Sequence, residues 1–361
     1  MLPQLTTQLA RCESLADSQV AAAVSQLVDE SVSVEAKAEF LTALAQKSET
    51  VAEIAAFARA LREMSVPAPL DEATRAREIL DVCGTGGDHL GTFNISTTVA
   101  LVCAAAGVTV AKHGNRAVTS QSGSADVLEA LGIKIDLSPA DAARSLREHH
   151  FAFFFAPNFH PAFKHIAPAR KLCATRGQRT VFNFLGPLLN PARPSAQLFG
   201  VPRPELCEPL ARVLQSLGVR RGMVVSGEVS SSDGNARTET RNSKPETRNS
   251  FDELSTLGPN TIAEFYQDRG FAVSELSPEN FPLQPATLAN LLGGDKFQNA
   301  EIIRRLLRGD DRGPRRDAVL LNCGAALFVA GAAKSLGDGW ELAAVTIDSG
   351  VAARKLAELA A

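Results

Sequence analysis

The sequence predicts an α/β protein in two parts: a small all-helical domain over residues 1–70, and a larger domain over 71–361 with a mostly parallel sheet flanked by helices. Three observations carry this reading. Residues 1–66 hold no glycine and show apolar stripes at helical spacing. From Ile79 onward, short apolar runs of strand length alternate with longer helix-like runs, the signature of crossover units. A glycine cluster, Gly84, Gly86 and Gly87, joins the first such strand to the first such helix, where open α/β sheets bind ligands.

In the helical part, Val20, Val24 and Leu27 form one stripe, and Phe40, Leu41 and Leu44 a second. Thr50-Val51-Ala52-Glu53 is a capping box ahead of Ile54, Phe57 and Leu61. Such stripes need a partner surface, within the chain or on a second subunit. Val66-Pro67-Ala68-Pro69 closes the region as a linker. The alternating part reads as strand 79–83, helix 95–106, strand 108–111, helix 124–131, strand 133–136, helix 139–149 and strand 151–155. Gly107 and Gly132 stop two of the helices, and Ser138-Pro139 supplies an N-cap and a first helical residue to another. Residues 157–192 return to helix and loop, with five prolines (Pro157, Pro161, Pro168, Pro187, Pro191) and Gly186. Their helical portion, about 165–190, is expected to join the two domains as a hinge region. Alternation resumes with strand-like 196–201, helix 205–217 and strand-like 223–227. Strands near 261–276 and helices over 286–308, 315–336 and 339–359 complete the chain.

A formal net charge of −3 gives no global field for nucleic acid or an anionic membrane. The six cysteines lie far apart with no C-x-x-C, which argues for reduced thiols in a cytoplasmic protein rather than a disulfide framework or zinc site. No apolar run reaches the roughly 18 residues of a membrane span. The longest, Ala318–Ala333, is broken by Asn322. The first residues show no basic stretch before an apolar core, so no signal peptide is expected.

The glycine loop carries chemistry. Without Cβ atoms, its backbone amides can approach an anion closely. The helix opening at Asn94-Ile95-Ser96-Thr97 adds free N–H donors and a partial positive charge. Lys112, at the end of the next apolar run, supplies a full one. A polyphosphate is the expected guest, although the spacing is neither the dinucleotide nor the P-loop fingerprint. Asp88 follows the glycines directly, which favours a phosphorylated sugar, whose hydroxyls can donate to it, over a bare nucleotide. The glycine loop and Lys112-His113-Gly114-Asn115 both fall at strand ends and can face one pocket.

GTGGD (84–88), NIST (94–97), KHGNRA (112–117) and SGSADVLEALG (122–132), in this order and spacing, resemble the anthranilate phosphoribosyltransferase family. FHPAFKHIAPAR (159–170), RTVFNFLGPLLNPA (179–192) and GPRRDAVLLNCGAALFVAG (313–331) extend the resemblance over nearly the whole chain from about Leu41. It implies the nucleoside phosphorylase-like phosphoribosyltransferase fold and a homodimer formed through the helical domain. It also implies a reaction of tryptophan biosynthesis. The phosphoribosyl group of 5-phosphoribosyl 1-diphosphate passes to the amine of anthranilate, giving N-(5-phosphoribosyl)anthranilate and diphosphate.

Site residues follow from the same resemblance. The donor is assigned to Gly84, Gly87, Asp88, Thr92, Asn94, Ile95, Ser96, Thr97, Lys112 and Ser124, and the acceptor to Gly84, Asn115, His160 and Arg170. Lys112 and Arg170 are the expected catalytic groups. The guanidinium fork of Arg170 suits the planar carboxylate of anthranilate. Ser96, Asp252 and Glu253 are the expected Mg2+ ligands, since this hard cation uses one or two carboxylates plus substrate phosphates. Thr119 and Gln121 stand where the family often has serine and lysine. His149 and His150 read instead as cations at a helix end. A pyrimidine nucleoside phosphorylase of similar fold and a nucleic-acid-binding relative without transferase activity are the alternatives. The pairing of KHGNRA with HPAFKHIAPAR favours an acidic acceptor over a uracil-type base, and the presence of Asn115, His160 and Arg170 with an acidic net charge speaks against the nucleic-acid-binding relative.

One segment departs from the family pattern. Residues 229–251 stand where the family has only a few, with TETRNS (238–243) nearly repeated as PETRNS (245–250). So polar a segment buries too little to order itself. It is expected to be a flexible loop that bulges outward and leaves Asp252-Glu253 in register.

Overall fold

The computed structural model describes residues 1–117, 121–229, 250–267 and 270–361. Thr119 and residues 230–249 of the insertion, with most of its repeat, lie outside the described residues.

The N-terminal region folds into helices Leu2–Ala10, Asp17–Val28, Val34–Lys47 and Val51–Glu63. Both stripes are buried, Val20, Val24 and Leu27 on one helix and Phe40, Leu41 and Leu44 on the next. The capping box forms: Thr50 N–H donates to Glu53 Oε2 at 2.9 Å, and Glu53 N–H to Thr50 Oγ1 at 3.2 Å. Glu53 is fully buried yet stays satisfied, because it also accepts from the Leu15 amide and the Lys47 ammonium. The stripes find their partner within the chain, in a core shared with helices Ala167–Thr175 and Cys207–Ser216.

The strands are β1 (Ile79–Gly84), β2 (Thr109–Gly114), β3 (Phe151–Phe155), β4 (Ala196–Gly200), β5 (Arg221–Glu228), β6 (Ser250–Phe251), β7 (Asn260–Tyr266) and β8 (Gly270–Leu276). They form one sheet in the order β3-β2-β1-β4-β5-β7-β8, with β6 also paired to β5. β3, β2, β1, β4 and β5 run parallel, while β6, β7 and β8 are added antiparallel. Leu80, Val82, Val110, Phe153 and Leu198 pack on helices Ile95–Ala105 and Pro314–Val329. Phe199, Val224 and Phe265 belong to the core shared with the N-terminal bundle. Strand order reverses between β1 and β4, so a crevice opens at their carboxyl ends.

Several sequence expectations need correction. Residues 133–136 are not a strand. Ile133 and Ile135 are buried and alternate with exposed neighbours, as in a strand, but their backbone joins no sheet partner. The alternation reports an extended connection lying on the core. β2 runs to Gly114, because its pairing with β3 continues through His113↔Phe154 and Gly114↔Phe155. The helix expected over 286–308 is two, Leu288–Leu291 and Lys296–Arg308, parted by Gly293-Gly294 and recapped by Asp295. The last helix is also two, Leu336–Asp348 and Val351–Leu359, parted at Gly350 with φ +73°. The helix expected to reach 336 ends at Val329, ahead of Gly331 at φ +71°. His150 is no helix-end cation: partial burial lowers its pKa, and its Nδ1 lies 3.1 Å from the Thr109 hydroxyl. His149 does meet a carboxylate, Glu358, at 2.7 Å.

Candidate active site

The glycine loop leaves β1 at the crevice. Gly86 and Gly87 take φ +70° and +85°, which side chains resist, and they turn the loop across the strand ends. Gly84 and Gly200 close β1 and β4 side by side. A Cβ on either would collide with Asp252, so both glycines admit that residue to the sheet end. The acid pair follows directly on β6, whose pairing with β5 sets its register. Asp252 Oδ2 accepts from the Gly86 amide at 2.8 Å, and Glu253 Oε1 from the Ser96 amide at 3.0 Å. The donors foreseen at the loop and at the helix N-terminus are thus both aimed inward, and here both hold carboxylates.

Electrostatics make this a cation-seeking cluster. Burial, reinforced by the neighbouring Asp88 carboxylate, pushes Asp252 up to about 7. Burial and then Asp252 push Glu253 well above the usual carboxylate range. Glu253 Oε2 is buried without a hydrogen-bond partner. A small cavity, about 10 Å³, is lined by Ser96, Gly200, Asp252, Glu253 and Asn322 among others. Among the described residues, no three of His, Cys, Asp and Glu converge on one point to hold a metal by themselves. Two adjacent carboxylates suit Mg2+, which takes the rest of its oxygen ligands from substrate and water.

Lys112 differs most from expectation. It is buried, and its ammonium donates to the Val82 carbonyl at 2.6 Å and lies 3.4 Å from the Ser96 hydroxyl. Burial lowers its pKa, opposed by Cys83, Asp81, Glu253 and Asp252. Its charge therefore stands behind the loop. The other residues expected to meet the donor follow the loop and the helix start. Thr92 bridges to Leu292. Asn94 donates to the Ser122 carbonyl at 3.1 Å and accepts from Asn299 at 2.9 Å, tying the helix start to two other segments. Ile95 buries its side chain in the core, which leaves only its backbone for a ligand. The Thr97 hydroxyl is buried without a partner. Ser124 donates to the Asn115 carbonyl at 3.4 Å, holding the end of β2 against the next helix.

Two of the residues expected to take the acceptor, His160 and Arg170, lie along an aromatic wall. His113 and His160 meet edge to face at 5.2 Å, His160 meets Phe163 at 5.4 Å, and Phe163 meets Phe182 at 5.6 Å. The Arg170 guanidinium sits 5.3 Å over the Phe182 ring. Among the described residues Arg170 has no carboxylate partner. Burial lowers His113 to about 3, and His160 to about 4 with partial offset from the Leu189 carbonyl. Both imidazoles are therefore neutral near pH 7. Asn115 is exposed just past β2. In the sequence His113 reads only as part of a strand-end motif, and Phe182 carries no site assignment. Their signal lies in the aromatic spacing of HPAFKH and VFNFLG, which has no meaning until the chain folds.

Known proteins match this architecture throughout. The family model described as "Glycosyl transferase family, a/b domain" matches residues 76–250 and 245–353, and "Glycosyl transferase family, helical bundle domain" matches 3–65. The anthranilate phosphoribosyltransferase of Geobacter sp. (strain M21) is 42% identical over 372 residues, covering 100% of this chain and 98% of that protein. That of Lacticaseibacillus paracasei is 43% identical over 361 residues, covering 100% and 97%. The Thermus thermophilus enzyme superposes with TM-score 0.84 at 40% identity, over 99% of this chain and 98% of that one. The Saccharomyces cerevisiae enzyme in complex with PRPP and Mg superposes with TM-score 0.83 at 26% identity, over 99% and 96%. With identity sustained over the full length of both its domains, the chain belongs to the anthranilate phosphoribosyltransferase family.

Proposed function

We propose that this protein transfers the phosphoribosyl group of 5-phosphoribosyl 1-diphosphate to the amine of anthranilate, releasing diphosphate, as a step of tryptophan biosynthesis. One observation supports this most: the glycine loop, the acid pair and the aromatic wall ending in Arg170 are carried by a chain alike to these transferases over its whole length. The donor rests on the loop after β1 and on the helix start at Asn94–Thr97. The acceptor lies against His160 and Phe163, its carboxylate toward Arg170 and its amine toward Asn115. Asp252 and Glu253, with Ser96, would hold Mg2+, and the partnerless Glu253 Oε2 and the raised Asp252 pKa fit that role. When bound, the ion supplies charge neutralisation for the leaving diphosphate.

The chain's own groups do the rest. Glycine-loop amides, with Lys112 behind them, present fixed positive potential to charge that grows on the diphosphate, commonly the largest catalytic effect. An aromatic amine is unprotonated at pH 7, so it needs no strong general base to become a nucleophile; the proton its nitrogen sheds once the bond to C1 forms passes to water or to the departing diphosphate, since His113 and His160, lowered to about 3 and about 4, are weak bases. What remains is alignment of the amine with the ribose C1, worth up to roughly 7–11 kcal/mol in ideal cases.

The helical region over residues 1–70 is the proposed homodimer contact, and the cytoplasm the proposed location. Among the described residues no helix is long and apolar enough to cross a membrane. Mass spectrometry of the products is the direct test. N-(5-phosphoribosyl)anthranilate with equimolar diphosphate is expected; a nucleoside-derived product from phosphate and a pyrimidine nucleoside, with none from anthranilate, would replace this reading.

A further inference from the structure

Beneath the two substrate regions runs the segment Gly186–Ala192, and its polar groups are captured from every side. The Gly186 carbonyl lies 3.1 Å from His113 Nδ1. The Pro187 carbonyl accepts from Gln197 Nε2 at 2.8 Å, a β4 side chain. The Leu188 carbonyl accepts from Arg62 Nε at 2.6 Å, a residue of helix Val51–Glu63. The Ala192 carbonyl accepts from Arg75 Nη1 at 2.6 Å. At the centre, Asn190 Nδ2 donates to Asp81 Oδ2 at 2.8 Å and to the Ala111 carbonyl at 2.7 Å, while its Oδ1 accepts from the Ala192 amide at 2.9 Å.

Asp81 is the unusual member. It is a fully buried carboxylate in the middle of β1, three residues before the glycine loop. Its other oxygen accepts from the His113 amide at 3.3 Å, and the Cys83 thiol lies 3.5 Å from the first. A buried carboxylate is costly unless its lone pairs are taken up. Here they are taken by the hinge segment and by the strand that carries both Lys112 and His113. One side chain thus ties together β1 with its donor loop, β2 with its buried lysine and first acceptor-wall histidine, and the segment gripped by the helical bundle through Arg62.

We propose that Asp81, acting through Asn190, is a positioning residue that holds the donor loop and the acceptor wall in mutual alignment. It touches neither substrate. Its effect falls on the approach of the amine to the ribose carbon rather than on the binding of either molecule alone. The inference rests on the transferase reading above.

Asp81→Asn sets its amide group against a donor in either orientation, the Asn190 amide or the His113 N–H, and so breaks one arm of the tie, while Asn190→Ala removes the Asn190 arm from the other side. Steady-state kinetics with 5-phosphoribosyl 1-diphosphate, anthranilate and Mg2+ would be measured for the wild type, both variants and the double variant, with circular dichroism to show folding. Each single variant is expected to lower kcat at least about tenfold with both KM values within about threefold, because misalignment costs rate steeply. The double variant is expected to be no worse than the harsher single one, since both act through one tie. Wild-type kcat with only a lower melting temperature, raised KM at unchanged kcat, or effects that multiply in the double variant would each overturn the proposal. Should Asp81→Asn not fold, the same split of kcat from KM in Asn190→Ser decides. A wild-type chain inactive with these substrates would count against the transferase reading, and a wild-type chain active beside unaffected variants against the role of Asp81.

Discussion

Arg170 stands with its guanidinium on the Phe182 face and, among the described residues, no carboxylate partner, at the end of an aromatic row that begins with two imidazoles burial keeps neutral. A charge-assisted bond to a ligand carboxylate is worth about 1.5–3 kcal/mol, or roughly 10–100-fold in affinity. Arg170→Ala should therefore raise the anthranilate KM by that order and leave the donor KM nearly unchanged, as initial-rate kinetics would show; equal rises would displace Arg170 from the acceptor side. The histidines make a second prediction. Their folded pKa values are depressed, to about 3 for His113 and about 4 for His160, so on acidification the unfolded chain takes up protons first. Stability is whole above the unfolded value near 6.5 and is lost as pH falls toward the folded values. Between pH 6.5 and 5 the wild type should lose about 1.5 kcal/mol more than His160→Gln in urea unfolding. Equal losses would mean that burial does not hold His160 neutral.

At the scale of elements, the acid pair depends on strand ends that admit it. Gly84→Ala puts a methyl group into Asp252. Activity is expected to fall at least about tenfold at unchanged circular dichroism, because a displaced site group costs rate steeply. Full activity would show that Asp252 can move without harm. β5 and β6 pair on either side of the insertion, with Glu228 opposite Ser250 and Gly227 opposite Phe251. Replacing residues 229–249 by Asn-Gly should accordingly leave the Mg2+ concentration dependence of the rate within about twofold, a two-residue turn being the natural closure of such a pair. A sharp change would give the insertion a part in placing the acids. The elements flanking the glycine loop were legible in the sequence because β1 and helix Ile95–Ala105 are long apolar runs punctuated by glycine. The segment 133–136 misled, because alternation reports a buried face and not a hydrogen-bonded neighbour. Asp81 and Asn190 were invisible as a pair, since their bond spans 109 residues and each sits in a locally ordinary run.

For the whole molecule, the bundle, the segment around Leu185–Leu189 and the sheet share a continuous core, so the helical region is built onto the α/β region rather than strung beside it. The motif order was enough to read the chemistry from the sequence; the inward-facing Lys112 was not, because only the pairing of β2 with β3 shows that the strand continues past it. The homodimer proposal predicts a sedimentation mass twice that of the chain, and a monomer at micromolar concentration would refute it. The reaction proposed for the crevice between β1 and β4 is a magnesium-assisted transfer to anthranilate. It is tested most directly by following anthranilate fluorescence with 5-phosphoribosyl 1-diphosphate and Mg2+, with and without chelator. Loss of fluorescence that needs both the donor and the metal is the predicted result. Persistent fluorescence from a folded protein, or loss indifferent to chelator, would rule this reaction out.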